Sequence, residues 1–87
     1  MGKTTKEDNY DAFNQAFGAA VRQLRAKAGV SQENLANIAN IDRSYMGAIE
    51  RGTKNVTIKN ICKIAKALEK NPSELFKLTE KLLGEAT

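Results

Sequence analysis

The sequence predicts an all-α fold of five helices, with a helix-turn-helix formed by the second and third. Three observations predict it. Apolar residues recur every three or four positions, no segment sustains an apolar–polar alternation, and cap-forming residues separate the periodic stretches. A chain of 87 residues is expected to form one domain, here residues 9–84, between a flexible tail over residues 1–8 and a short tail over residues 85–87.

The first helix is predicted from about Tyr10 to Ala28. Its apolar residues are spaced by three or four positions, which places them on one face. They are Tyr10, Phe13, Phe17, Val21, Leu24 and Ala28. Gly29 can adopt the left-handed conformation that commonly ends a helix.

The second and third helices are short and follow one another closely. Ser31 is the predicted N-cap of a helix over Gln32–Ala39, and Asn40 accepts the positive φ that a tight turn requires. Asp42 is the predicted N-cap of the next helix, Arg43–Arg51, which Gly52 closes; Met46 and Ile49 of this helix are expected to point inward.

Two further helices complete the predicted fold. Thr57 caps a helix over Ile58–Glu69, and a fifth helix runs from Pro72 to about Leu83, with Asn71 as its cap and Glu74 at the capping-box position. The predicted core stripe of the fourth helix consists of Ile58, Ile61, Cys62, Ala65 and Leu68. We therefore expect Cys62 to be a buried, inert thiol.

Composition excludes several classes of protein. A single cysteine and no histidine leave no disulfide within the chain and no zinc-ligand pattern. No apolar run is long enough for a membrane span, and the polar first ten residues do not resemble a signal peptide, so a cytoplasmic location is expected. No nucleophile–base pair or phosphate loop is evident, so we expect neither an enzyme nor a cofactor.

Charge is concentrated in the middle of the chain. Residues 22–70 contain ten basic and four acidic side chains, whereas the two ends are close to neutral. A basic centre of this kind favours a polyanionic partner, although ordinary solubilising charge gives the same pattern.

The segment from Gln32 to Arg51 meets the physical requirements of a helix-turn-helix. Ala36 supplies a small residue where the two helices touch, and Asn40 supplies the left-handed turn. The apolar residues expected to hold the angle between the helices are Leu35, Ile41, Met46 and Ile49. A plain helical hairpin inside a bundle is the alternative interpretation.

The outer face of the third helix is predicted to read DNA bases. Its expected members Arg43, Ser44, Ala48 and Arg51 combine two cations with a hydroxyl and a very small side chain, and Gly47 keeps the face thin. An arginine can donate two parallel hydrogen bonds to guanine, and an alanine can contact a thymine methyl group. A thin, cationic helix fits the major groove.

A second group of residues is predicted to contact DNA phosphates. Its members are Gln32, Tyr45, Lys54, Asn55, Thr57 and Lys59. Gln32 lies at a helix start, where backbone N–H groups favour an anion, and the others lie on or just after the third helix. For Tyr45 the alternative is packing against the first helix, and for each lysine taken singly it is simple solvation.

The fifth helix is predicted to mediate dimerisation. One of its faces can close the core through Leu75 and Phe76. Its apolar residues cover more than one face, so some of them would remain exposed on a single chain. The predicted dimer contacts are Leu75, Leu78, Leu82 and Leu83. A homodimer would bury this surface, whereas a fraying C-terminal helix would leave the leucines exposed.

The segment SQENLANIANIDRSYMGAIERGTKN resembles the Cro/C1-type (Xre-like) helix-turn-helix regulators of bacteria and phage. The likeness continues through VTIKNICKIAKALEKNPSELF and so covers about residues 17–76. Within that family, IDRSYMGAIERGTKNVTI is similar to the controller proteins of restriction-modification systems. Asn40 departs from the pattern, because many members carry glycine there.

The resemblance implies a five-helix, lambda-repressor-like domain that binds double-stranded operator DNA as a homodimer. It implies base reading by Arg43, Ser44 and Ala48, phosphate contacts by Gln32 and the Lys54–Asn55 loop, and dimerisation through the last helix. A controller protein would regulate its own operon and that of a restriction enzyme, and activation would require a contact with RNA polymerase that no segment locates. A phage repressor, an antitoxin-type regulator and a protein-interaction module on the same fold are the alternatives.

Overall fold

The five predicted helices are all present. A computed structural model describes the backbone of residues 3–86 and the side chains of residues 11–85. Over that range the chain forms helices and no strand. The helices are α1 (Lys3–Ala28), α2 (Gln32–Ala39), α3 (Arg43–Arg51), α4 (Ile58–Ala67) and α5 (Pro72–Ala86). The prediction of an all-α, five-helix fold is confirmed, and none of the described helices is long and apolar enough to cross a membrane.

Side-chain caps start four of the helices as predicted. Three N-cap oxygens accept a hydrogen bond from the backbone N–H three residues later: Ser31 from Asn34 at 3.0 Å, Asp42 from Tyr45 at 3.2 Å, and Thr57 from Asn60 at 3.1 Å. At α5 the Glu74 carboxylate reaches back to accept from the backbone N–H of Asn71 at 2.7 Å. These caps satisfy backbone N–H groups that the helices leave without a partner.

Three helix boundaries differ from prediction. α1 begins at Lys3 rather than near Tyr10, so residues 3–8 of the predicted tail are helical, and the Tyr10 side chain lies outside the described range. α5 extends to Ala86. α4 ends at Ala67, because Glu69 takes a left-handed conformation (φ 59°) and the following residue bonds back into the helix. Glutamate gives no sequence signal for such a turn, since glycine or asparagine usually fills it.

The core is formed by apolar side chains from all five helices. Its fully buried members include Val21, Leu35, Met46, Ile49, Ile64 and Leu75. Burying each of these large side chains stabilises the fold by about 1.5–3 kcal/mol. The aromatic ring of Phe76 packs 6.2 Å from that of Phe17 and 6.4 Å from that of Phe13, which ties α5 to α1.

The backbones of α1 and α3 approach each other unusually closely at Gly18. A Cβ atom at this position would lie 2.7 Å from the carbonyl oxygen of Glu50 and closer still to that of Ile49. Only glycine permits this approach, because the carbonyl oxygens at the end of α3 occupy the space of a side chain. The contact fixes the inner side of α3 against α1 and leaves its other side toward solvent.

Two predicted core residues of α4 are instead exposed. Ile58 is 78% exposed, and Cys62 is an exposed free thiol. The buried face of α4 comprises Ile61, Ile64, Ala65 and Leu68, which by themselves complete an i, i+3, i+4, i+7 pattern. Ile58 and Cys62 lie at the edge of that face, so both predictions of burial were wrong.

Candidate nucleic-acid interface

The turn between α2 and α3 has the geometry that a helix-turn-helix requires. Asn40 is left-handed, with φ 58° and ψ 50°, which allows Ile41 to donate its backbone N–H to the carbonyl of Ala36 at 2.9 Å. Leu35 and Ala36 are fully buried beneath the turn, and Ile41 is 9% exposed. The predicted left-handed turn is therefore confirmed, and the small and apolar residues of the motif are buried as predicted.

A shallow pocket opens on the solvent side of α3. Its volume is about 220 Å³, and it is lined by Gln32, Arg43, Ser44, Gly47 and Arg51. The two arginines and the serine are exposed, whereas Gly47 forms part of the floor. The Arg51 Nη1 atom lies over this glycine, 3.2 Å from where a Cβ would be. The pocket therefore presents two guanidinium groups and a hydroxyl around a small depression.

The one acid of α3 is buried beneath this pocket rather than exposed in it. Glu50 is 2% exposed, and its carboxylate accepts hydrogen bonds from Arg25 Nε at 2.8 Å and Arg25 Nη2 at 3.1 Å. Its Oε1 atom also accepts from Gln32 Nε2 at 3.0 Å. This network joins α1, the start of α2 and the end of α3, and so sets the relative position of the two helices of the motif.

The network has an electrostatic consequence for the exposed face. Because Glu50 is buried and neutralised by Arg25, it does not reduce the positive charge of Arg43 and Arg51. Arg22 reinforces the same end of α3 by donating to the Glu50 carbonyl oxygen. Glu50 therefore does not interrupt the basic surface of α3, and its charged partner is Arg25.

The loop that follows α3 is held by hydrogen bonds to α1 and α3. Thr53 donates to the Ala48 carbonyl through its backbone N–H at 3.0 Å and its hydroxyl at 3.1 Å. Asn55 Oδ1 accepts from Asn14 Nδ2 at 2.6 Å. The group that Asn55 offers to a phosphate is therefore its NH₂, a donor.

Four of the predicted phosphate contacts are exposed on or next to this loop. They are Lys54, Asn55, Thr57 and Lys59. Tyr45 is half-buried with its ring against the core, and its hydroxyl lies 3.5 Å from the Asn55 carbonyl. Tyr45 thus packs against the core, and both its predicted contact with a phosphate and its alternative packing against the first helix remain predictions.

Comparison with known proteins identifies the family. The helix-turn-helix family HTH_3 matches residues 21–75, which include α2, α3 and α4. The control protein C.BamHI of Bacillus amyloliquefaciens is 48% identical over 64 residues, covering 72% of this chain and 79% of that protein. The crystal structure of the restriction-modification controller protein C.AhdI from Aeromonas hydrophila is 49% identical with a TM-score of 0.71, covering 72% of this chain and 96% of that one.

The chain belongs to the restriction-modification controller proteins of the helix-turn-helix family. It is accordingly a DNA-binding transcription regulator. A further solved structure, the controller protein C.Esp1396I as a tetramer in complex with its natural 35 base-pair operator, is 32% identical with a TM-score of 0.75 and covers 82% of this chain and 93% of that one. The resemblance inferred from the sequence segments is thus confirmed.

The controller fold brings most of the predicted base-reading residues together, with one correction. Arg43, Ser44 and Arg51 share the pocket, but Ala48 is only 6% exposed. Thr53 donates two hydrogen bonds to the Ala48 carbonyl, which tie the following loop to this part of α3, and the short Ala48 side chain stays buried. The prediction that Ala48 lies on the exposed face, where it could meet a thymine methyl group, was wrong.

Gln32 has one contact that the sequence did not predict. One N–H of its side-chain NH₂ group donates to the buried Glu50 carboxylate. Its second N–H and the backbone N–H groups at the start of α2 are still donors, so its contact with a phosphate remains a prediction. The signal that sequence analysis missed was the acid itself, since a buried carboxylate requires partners from its neighbours.

A second correction concerns the predicted dimer contacts on α5 of this controller protein. Leu75 is fully buried within the single chain, because it lies on the face that closes against the other helices. Leu78, Leu82 and Leu83 are half-buried at the edges of the contact between α5 and α1. Only these three remain available as predicted dimer contacts.

Proposed function

We propose that this controller protein regulates transcription by placing the exposed face of α3 in the major groove of a pseudo-palindromic operator. The observation that carries the proposal is the pocket in which Arg43, Ser44 and Arg51 meet, with the acid of the same helix buried beneath it. Two arginines without an exposed acid between them can each bond guanine O6 and N7. Ser44, in the first turn of α3, can bond a base edge or a phosphate.

The phosphate contacts are proposed to lie beside the groove that α3 occupies, at Gln32 on α2 and on the loop that follows α3. Lys54 and Lys59 are exposed cations, and the Asn55 NH₂ and Thr57 hydroxyl are exposed neutral donors near them. Such contacts position a protein on DNA and supply salt-dependent affinity without sequence preference. Tyr45 adds a hydroxyl at the edge of this surface.

A homodimer is the proposed binding unit. Two recognition helices related by a twofold axis would enter half-sites about one helical turn, roughly 34 Å, apart, which is why the operator is expected to be pseudo-palindromic. The proposed dimer contacts are Leu78, Leu82 and Leu83. The tetramer of C.Esp1396I on its operator supports assembly of this kind on DNA.

The regulated genes are proposed to be the operon of this protein and that of an associated restriction enzyme, as the family implies. The protein would then act where the bacterial DNA is, in the cytoplasm, and without catalytic activity or a cofactor. Activation, as opposed to repression, would require a contact between the bound dimer and RNA polymerase.

The first test removes one base-reading side chain. Arg43→Ala is expected to weaken specific binding by about 1–3 kcal/mol and to relax the preference at one base position of each half-site. Equilibrium binding to a panel of operator variants measures both quantities. A variant that keeps the affinity and the base preference of the wild type would refute base reading by this helix end.

The matched test removes one cation of the phosphate group. Lys54→Ala is expected to weaken binding to all sequences alike and to flatten the dependence of log K on log salt by about one unit. Binding measured over a salt series distinguishes this from Arg43→Ala. If Lys54→Ala instead changes base preference, the division between base-reading and phosphate-contacting residues is wrong.

A further inference from the structure

We propose that Gly47 is a positioning residue for base recognition. Because it has no side chain of its own, it lets the Arg51 guanidinium lie along α3 and reach the same pocket as Arg43. The inference rests on the proposed function, because it assumes that the outer face of α3 enters the major groove. It goes beyond that function by stating how a residue in the last turn of α3 reads a base, when in this docking mode it is the first turn that usually does so.

The fold itself does not require a glycine at position 47. Gly47 lies in the middle of α3, where glycine is a poorer helix former than alanine. Apart from the adjacent backbone of α3, only two atoms of the described residues lie within 4 Å of where its Cβ would be: Arg51 Nη1 at 3.2 Å and Gln32 Oε1 at 3.4 Å. Both belong to polar side chains, whereas the atoms that face Gly18 are backbone carbonyls. A helical glycine without a packing reason therefore points to the exposed face.

The side chain that benefits from this glycine is Arg51. Helical side chains lean toward the N-terminus of their helix, so a residue covers the surface of the turn before it. For Arg51 that turn contains Gly47, and the Arg51 guanidinium accordingly lines the pocket together with Arg43 and Ser44. A Cβ at 3.2 Å from Nη1 would be closer than an ordinary van der Waals contact, so the guanidinium would have to move away.

The guanidinium of Arg51 is available to DNA and sensitive to its position. Among the described residues, the guanidinium groups of Arg43 and Arg51 form no hydrogen bond and no ion pair, whereas those of Arg22 and Arg25 are bound by Glu50. Each free guanidinium can bond guanine O6 and N7 in parallel, so two of them in one pocket predict two guanines in each half-site. Such a site needs alignment to within about 0.5 Å, so displacing one guanidinium should cost its base preference.

The decisive experiment compares Gly47→Ala, Arg51→Ala and the double variant, each bound to the selected operator and to its single-base variants. Arg51→Ala should lose about five- to hundredfold discrimination at one position of each half-site. Gly47→Ala should lose most of the same discrimination, while the preference at the position read by Arg43 stays within about twofold of the wild type. Because alanine is the better helix former, Gly47→Ala should at the same time raise the midpoint of thermal unfolding, by up to about 4–8 °C.

The double variant separates positioning from a direct collision between the new methyl group and DNA. If Gly47 acts through Arg51, adding Gly47→Ala to Arg51→Ala should change operator binding by less than about twofold. Gly84→Ala is the matched control, because it also replaces a helical glycine and its Cβ would meet no atom within 4 Å. It should not lower the unfolding temperature, and it should bind the operator and its variants as the wild type does.

Three results would overturn the proposal while leaving recognition of DNA by α3 intact. The first is a Gly47→Ala variant with the base preference of the wild type at every position. The second is a further loss when Gly47→Ala is added to Arg51→Ala, which would mean that the methyl group meets the DNA itself. The third is an unchanged base preference of Arg51→Ala, since Gly47 would then have nothing to position. Absence of any sequence preference in the wild type would instead refute the proposed function.

Discussion

At the scale of single residues, the buried carboxylate of Glu50 does the most to define the site. It binds α1 through Arg25 and α2 through Gln32. Because its charge is buried and paired with Arg25, the pocket on α3 exposes no carboxylate of its own helix. A buried charge of this kind is tolerated only with partners that replace water. Its contribution is therefore to hold one arrangement of the helices, and removing it should be costly.

Glu50→Ala is expected to lower the free energy of unfolding by about 2–4 kcal/mol, because Arg25 and Gln32 lose the acceptor they share. We expect a smaller loss of stability than for a fully buried ion pair, because the Arg25 side chain is 20% exposed. Chemical denaturation measures it. Glu80→Ala, at an exposed position of α5, is the control and should change stability by less than about 0.5 kcal/mol. Equal effects of the two variants would mean that the network adds nothing.

The sequence was sufficient for residues whose role is local and insufficient for those whose role depends on packing. Asn40, Asp42 and Gly52 act on the backbone next to them, so their types alone predicted the turn and the helix ends. Ala48 was misplaced because its exposure depends on how α3 packs in the folded chain, which helical periodicity does not give. The bond from Gln32 to Glu50 was not predicted, because its acceptor comes from another helix.

At the scale of helices, the close approach of α1 and α3 positions the recognition helix. Gly18 and Gly52 both lie where a side chain would collide with the facing backbone; at Gly52 a Cβ would lie 2.6 Å from the Gln15 Cα. The segment Phe17–Val21 contains a run of small residues between two buried apolar ones, and this was the available signal for close helix packing. The periodicity of the apolar residues did not predict which helix would pack against this segment of α1.

Gly18→Ala should be strongly destabilising, by about 3 kcal/mol or more, because the facing groups are backbone carbonyls that cannot move aside as a side chain can. Gly84→Ala is the matched control on α5, where a Cβ would meet no atom within 4 Å. Alanine is the better helix former, so Gly84→Ala should leave stability unchanged or raise it by up to about 1 kcal/mol. Thermal unfolding of both variants compares them directly, and a Gly18→Ala variant as stable as wild type would contradict the packing.

At the scale of the whole molecule, the remaining question is how two copies meet. The order of the helices and the fold class followed from the sequence. Which apolar side chains are available to a second chain depends on which ones the first chain buries in its own core. Leu75 is buried within the single chain and so cannot form the predicted interface, whereas Leu78 is half-buried. Ile58, at the start of α4, is 78% exposed and is a second apolar residue that an interface could cover.

Leu78→Glu is expected to convert the proposed dimer to monomers, because a carboxylate would have to be buried in the interface. Sedimentation equilibrium measures the mass, and circular dichroism checks that the helices persist. Ile58→Lys serves as the comparison and should remain dimeric. Monomers from Ile58→Lys alone would place the interface at the start of α4 and refute the α5 contacts.

The central claim is that the exposed face of α3 reads DNA sequence, and selection of bound sites from random duplex DNA tests it most directly. The account predicts that the wild-type protein enriches a pseudo-palindromic site with half-sites about one helical turn apart. Arg43→Ala should lose the preference at one position of each half-site. Recovery of unrelated sequences by the wild type, or of the same motif by wild type and Arg43→Ala, would contradict it.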